Sequence, residues 1–186
     1  MKDIEKWLRK DGERFLKAIG IKKGFIIVDF GCGSGDYTLP AARVVGKTGT
    51  VYAVDKNSQK LDHLMQITPQ GLPIVPLKIS GELKIEVADR SVDAVLLYDV
   101  LHYEGTSSRK KLYNELHRIL KRDALLSVYP KHCKMDSPFG ELSDMVLEDI
   151  IREIEGAHFH LERKDMTTLI HNHTYTTGCV LTFRKK

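Results

Sequence analysis

The sequence predicts an α/β fold, a doubly wound and mostly parallel seven-stranded sheet that ends in a C-terminal antiparallel β-hairpin. Three observations carry this. From residue 25 onward, apolar runs of strand length alternate with helix-patterned segments, the signature of right-handed crossovers and a parallel sheet. The first run opens straight into a glycine turn, FIIVDFGCGSGDY from Phe25 to Tyr37. The last two runs follow each other with no room for a crossover helix, so they pair antiparallel.

The opening segment, residues 1–20, carries Ile4, Trp7, Leu8, Phe15, Leu16 and Ile19 at near-helical spacing and is expected to pack as a preceding helix. The core is expected to fill residues 24–186, making one domain of 1–186. Its first strand is Phe25 to Phe30, followed by the turn through Gly31, Gly33 and Gly35 and then a helix. The next strands are Thr50 to Val54, Ile74 to Ile79, Val92 to Tyr98 and Ala124 to Tyr129. Between and after them, Leu112, Leu116, Ile119 and Leu120 form one helix face, and Leu142, Met145, Val146, Ile150 and Ile154 another over three turns. The hairpin is Phe159 to Met166 and Tyr175 to Arg184, joined by a short His/Asn-containing turn.

Composition narrows the function classes. A chain of 186 residues with 42% hydrophobic residues can bury about 70% of its unfolded surface without disulfides. The three cysteines, Cys32, Cys133 and Cys179, have irregular spacings and no C-x-x-C pair, which points to a reducing cytoplasm and away from zinc or redox work. The formal charge of +4 is mild. The short basic clusters lack interleaved aromatics, so nucleic acid is unsupported as a partner, though not excluded. The N-terminus is charged throughout and no 18-residue apolar stretch follows, so neither export nor a membrane is expected.

Glycines in such a turn reach positive φ and let backbone approach a ligand. A nicotinamide or flavin fingerprint would read G-x-G-x-x-G. Here the third glycine arrives one residue early, and Asp36 follows Gly35. The next acidic residue after an apolar strand is Asp55, closing TVYAVD, placed to hold both ribose hydroxyls of a nucleoside. A chance glycine turn between a strand and a helix is the plain alternative. With Asp29 upstream, the whole resembles the nucleoside pocket of class I S-adenosylmethionine-dependent methyltransferases, of the small single-domain type with a Rossmann-like sheet.

The resemblance extends from about Gly12 to the C-terminus. GERFLKAIGIKKGFIIVDFGCGSGDYT resembles the family's entry helix, strand and cofactor loop; RSVDAVLLYDVLHY resembles the fourth strand and its functional loop; and LYNELHRILKRDALLSVYP resembles the next helix and fifth strand. It implies S-adenosyl-L-methionine as cofactor and methyl transfer as activity. Gly31, Cys32, Gly33 and Gly35 would form the methionine side of the pocket, with Asp29 fixing the loop or reaching the amino group. Asp55 would take the ribose hydroxyls, Lys56 would flank the adenine, and Tyr98 would end the fourth strand at the cleft. Where the family often places Asp to receive the adenine amino group, this chain has Ser80, Gly81 and Glu82, so Gly81 and Glu82 are the expected substitutes.

The loop after the fourth strand carries Asp99, His102 and Tyr103, and His102 is the expected base if one is used. Packing or hydrogen bonding is its plainer role. YDVLHY lacks an Asn/Asp-Pro-Pro-aromatic motif, which argues against amino methylation of adenine or glutamine amides and leaves a small-molecule acceptor as the leading expectation. No metal site is expected: His171 and His173 read as exposed polar residues, and Cys133 and Cys179 as apolar fillers rather than metalloid ligands. A non-catalytic S-adenosylmethionine-binding regulatory or scaffolding subunit is the alternative function, and a nicotinamide-dependent oxidoreductase a more distant one. Oligomeric state is not legible in the sequence.

Overall fold

The computed structural model of this chain describes residues 2–80 and 83–186. Its strands are β1 (Ile26–Phe30), β2 (Thr50–Asp55), β3 (Ile74–Lys78), β4 (Val92–Tyr98), β5 (Leu120–Tyr129), β6 (Phe159–His171) and β7 (Thr174–Lys185). They form a single seven-stranded sheet in the order β3-β2-β1-β4-β5-β7-β6. The first five pair in parallel, and β7 inserts antiparallel between β5 and β6. The chain travels outward from β1 to β3 and then returns to place β4 on the other side of β1. Such a reversal opens a crevice beyond the C-terminal ends of β1 and β4, because the connections there leave toward opposite faces.

Both faces of the sheet are covered. The helices are α1 (Asp3–Lys6), α2 (Gly12–Ala18), α3 (Thr38–Val45), α4 (Ser58–Ile67), α5 (Thr106–Ile119) and α6 (Leu147–Glu155), with a wider helical turn at Trp7–Asp11 joining the first two. Successive β4 residues serve two separate cores, as a side-chain period of two requires. Ala94 and Leu96 pack with Trp7, Leu16, Leu39 and Leu64. Val95 and Leu97 pack with Leu112, Leu116, Ile150 and Ile154. Central strands apolar on both faces are what a covered parallel sheet demands. Among the described residues, no helix is long and apolar enough to cross a membrane.

Beyond one-residue shifts at the ends of β1, β2 and β3, three boundaries differ from the sequence expectation, each for a local reason. Leu120 belongs to β5 and not to the preceding helix: its backbone is extended, and it pairs with Val92 before the register shifts to Ala94 against Leu125. The last helix begins at Leu147. Gly140–Leu142 form a separate 3-10 turn, and Val146 is extended, its N–H donating to Asp149 Oδ2 at 3.0 Å. The hairpin is longer than expected. Its ladder runs on to His171 opposite Thr174, closed by Asn172 (φ 48°) and His173 (φ 64°). Two consecutive positive-φ residues are the mark of the type I′ turn that fits twisted strands. This extension carries His171 to the crevice.

Candidate functional site

A cleft of about 1130 Å³ occupies the crevice. Of the expected residues, Gly31, Cys32, Gly33, Asp55, Lys56 and Tyr98 line it, joined by Asp36, Asp99, Tyr103 and His171. Asp29, Gly35 and His102 are not among its lining residues. Gly81 and Glu82 lie outside the described residues; Ile79 and Leu83 on either side of them line the cleft.

The glycine turn is closed on the end of β2. The N–H groups of Gly31 and Cys32 both donate to Val54 O, at 2.7 and 3.0 Å, and that of Gly33 donates to Asp55 Oδ2 at 2.9 Å. These amides therefore shape the loop instead of pointing at a ligand. Two of the glycines serve different ends. At Gly31 (φ +75°) a Cβ would stand 2.1 Å from Val100 Cγ1, so packing excludes a side chain. At Gly33 (φ +54°) a Cβ would meet nothing nearer than a backbone oxygen at 3.9 Å. It would jut into the cleft, so the bare Cα there leaves a cradle that a side chain would fill.

Asp55 sits at the C-terminal end of β2 with both oxygens held. Oδ2 accepts from Gly33 N–H, and Oδ1 accepts from Asn57 N–H at 2.8 Å. A carboxylate offers about four lone-pair sites, so each oxygen keeps one for a further donor, and a vicinal diol supplies two. Lys56 extends beside it, its Nζ 5.8 Å from the centroid of the Tyr103 ring.

Asp29 lies beneath the loop and is 3% exposed. Thr38 Oγ1 donates to it at 2.5 Å, which ties the end of β1 to the start of α3. Burial is the main cause that lifts its pKa to about 7; the Thr38 donor opposes this, while the nearby Asp36 and Asp55 charges add to it. Tyr98 lines the cleft yet is 5% exposed. Its hydroxyl bonds Ser127 Oγ at 2.7 Å, and its ring meets Tyr37 edge-on at 4.6 Å. Tyr37 in turn donates to Ile170 O at 3.0 Å, and Trp7 Nε1 donates to Asp36 O at 2.8 Å. The glycine loop is thus fastened from outside by the N-terminal segment and the hairpin, contacts that only the folded chain brings together.

His102 is buried behind Tyr103, with their ring centroids 3.8 Å apart. Burial lowers its pKa, partly offset by Asp99 and reinforced by His132 and His171. Sequence reasoning gave no specific role to four residues here: Asp36 beside the glycine turn, and Asp99, His132 and His171 across the cleft. His171, expected as an exposed polar residue, is instead half-buried, lines the cleft and stands against Asp99. Asp36 and Asp99 left legible signs, the first as the acidic residue that replaces the fingerprint's next glycine and the second as a member of the loop after the fourth strand.

A family model for a methyltransferase domain matches residues 27–123. Among curated proteins, a 2-phytyl-1,4-naphtoquinone methyltransferase of Trichormus variabilis is 29% identical over 143 residues, covering 75% of this chain and 61% of that protein. A demethylmenaquinone methyltransferase of Lactobacillus johnsonii is 29% identical over 118 residues, covering 62% of this chain and 48% of that protein. The chain thus spans about half to three-fifths of the length of these relatives. Among solved structures, a SAM-dependent methyltransferase from Aquifex aeolicus superposes with a TM-score of 0.74 at 23% identity, covering 97% of this chain and 93% of the other. That likeness establishes the fold.

Proposed function

This chain belongs to the methyltransferase-domain family, and from that premise we propose that it transfers a methyl group from S-adenosyl-L-methionine to a small-molecule acceptor. The observation that carries the reading is Asp55. Two backbone amides fix its carboxylate at the cleft and leave one acceptor site on each oxygen, the pattern that a ribose diol completes. The cradle at Gly33 adjoins it through the Gly33 N–H, so the sugar and the methionine arm are read by one connected unit. Ile79 and Leu83 give the adenine an apolar floor, and Lys56 closes over it.

When bound, the cofactor supplies an electrophilic methyl on a sulfonium. The residues of the chain have the tasks of alignment and exclusion of water, which are worth several powers of ten in rate when reacting atoms are held in line. Tyr98, with its hydroxyl satisfied by Ser127 and its ring wedged against Tyr37, gives that part of the cleft a rigid wall. His102 stands behind Tyr103 and away from the acceptor, so our reading draws the rate from alignment and desolvation and not from a base at that position.

The relatives act, by their names, on quinones. Val100, Tyr103 and Ile170 offer an apolar wall to such an acceptor, and the exposed Phe139 continues it beyond His102. A quinone-class aromatic is the first acceptor to test, and the cytoplasm the compartment we assign. The test is methyl transfer from labelled S-adenosyl-L-methionine to a panel of naphthoquinols, catechols and unrelated metabolites. Label in one acceptor class supports the reading. Tight cofactor binding with no transfer to any class would leave a non-catalytic binding subunit instead.

A further inference from the structure

Asp99, His102, His132 and His171 come from the ends of β4, β5 and β6 and meet beside the cleft. Asp99 Oδ1 stands 3.5 Å from His102 Nδ1 and 3.6 Å from His132 Nε2. The three ligand atoms all lie within 4.8 Å of one another. The two measured separations are too long for hydrogen bonds, whose N···O distances run about 2.7–3.2 Å. They suit two donors on one ion, because arms of about 2.0–2.1 Å meeting at a tetrahedral angle end about 3.3 Å apart.

Proton placement points the same way. His132 Nδ1 lies 2.8 Å from Ser137 O. A carbonyl only accepts, so Nδ1 carries a proton, and in the neutral ring Nε2 is left with a lone pair facing Asp99 Oδ1. In that tautomer two electron pairs face each other, an arrangement that a cation between them satisfies. Asp99 Oδ1 and His102 Nδ1 are both buried without a hydrogen-bond partner among the described residues, and the His102 side chain is 2% exposed. Outer contacts of the kind that orient metal ligands are also in place. Ser137 O holds His132, and His171 Nδ1 stands 2.8 Å from Asp99 Oδ2 as an ion-pair contact. Asp99 (φ 56°) and His132 (φ 72°) are both held in the left-handed region, a backbone conformation that clusters at ligand sites.

We propose that Asp99, His102 and His132 bind a divalent first-row transition-metal ion, Zn²⁺ foremost, with His171 bracing Asp99. Two imidazoles and one carboxylate favour zinc, iron or cobalt over magnesium and calcium, which take oxygen donors. Three protein ligands leave a coordination position for water or another small ligand. The site goes beyond the methyl-transfer reading and stands without it, since it uses neither Gly33 nor Asp55.

The test is titration of the untagged, chelator-treated full chain with Co²⁺, without cofactor or acceptor, followed by visible absorption. The expected result is a single Co²⁺ per chain with the ligand-field bands of a four- or five-coordinate ion, bleached by an equivalent of Zn²⁺. His132→Ala and His102→Asn each lower the affinity by more than the about 10–100-fold that loss of an outer contact costs, and His171→Gln lowers it by about 10–100-fold. His160→Ala, near the opposite end of β6, leaves it unchanged. A parent chain that binds no Co²⁺ overturns the proposal, and this measurement depends on no variant folding. So does Co²⁺ binding as tight as the parent's in both His132→Ala and His102→Asn.

Discussion

On one wall of the cleft, Gly31, Gly33 and Asp55 come from a single strand-turn-helix-strand stretch, with the turn's amides donating to Val54 O and to the Asp55 carboxylate at the end of the adjacent parallel strand. Across the cleft, Asp99 and His171 line the other wall with His102 and His132 grouped around Asp99; the four come from the ends of β4, β5 and β6 and meet through side chains. The first wall is specified by local backbone geometry, the second by the topology that brings three strand ends to one edge. The contrast teaches that the same sheet can hold a turn fixed by a short segment and, opposite it, a cluster that needs the ends of β4 and β5 side by side, with His171 added by the β6–β7 hairpin. Substitutions on one wall should therefore leave the other's ligand largely untouched.

The strongest way to break that contrast is Gly33→Val. A branched side chain at φ +54° fills the cradle, so binding of S-adenosylhomocysteine should fall below detection while Co²⁺ binding by the other wall persists. Loss of both together would show that the walls are not separable. Calorimetric titration with each ligand in turn reads this directly.

Gly31→Ala probes the one close contact that joins the walls. A Cβ there would stand 2.1 Å from Val100 Cγ1, which adjoins Asp99. Overpacking of about 1–3 kcal/mol, with left-handed strain of about 1 kcal/mol or more besides, should lower the denaturation midpoint. Adding Val100→Ala should recover the packing part and leave the strain. If the double variant is no more stable than Gly31→Ala, the contact with Val100 is not what excludes a side chain at Gly31.

A smaller effect sharpens the account of the first wall. Asp29 has a folded pKa of about 7, raised by burial from an ordinary 3.8. The folded state therefore takes up a proton between about pH 4 and pH 7. The stability from this group is greatest at the acid end of that window, falls as pH rises, and levels off above about pH 7. In Asp29→Asn that slope should disappear, and the variant should gain on the parent by on the order of 2–3 kcal/mol between pH 5 and pH 8. Parallel stability curves for the two would show that Asp29 titrates like an ordinary carboxyl.

How much of this was legible in the sequence follows from the same contrast. The strand Ile26–Phe30, the glycine turn and Asp55 lie close together in the chain, so spacing alone places them at one pocket. The parallel sheet and closing hairpin were readable from alternating periodicity, and Leu120 was misread because an apolar residue at the end of a helix face satisfies both periods. The length of the hairpin was not readable, since the residues from Met166 to His171 mix polar and apolar types and gain their strand pairing only from β7. His132 had no local signal at all. It follows β5 in a loop of irregular backbone, about thirty residues from Asp99 and about forty from His171, and no spacing rule connects ligands that three strand ends bring together.

The central claim is that Asp55, held by the Gly33 and Asn57 amides, is the ribose anchor of a nucleoside cofactor. Titration of S-adenosylhomocysteine into the parent and into Asp55→Ala tests it most directly. The account predicts binding of a single ligand per chain in the parent and an affinity about 10–100-fold lower in the variant, since hydrogen bonds to a charged group are worth about 1.5–3 kcal/mol and 1.4 kcal/mol is tenfold. Equal affinity in the two proteins, with both folded, would contradict it.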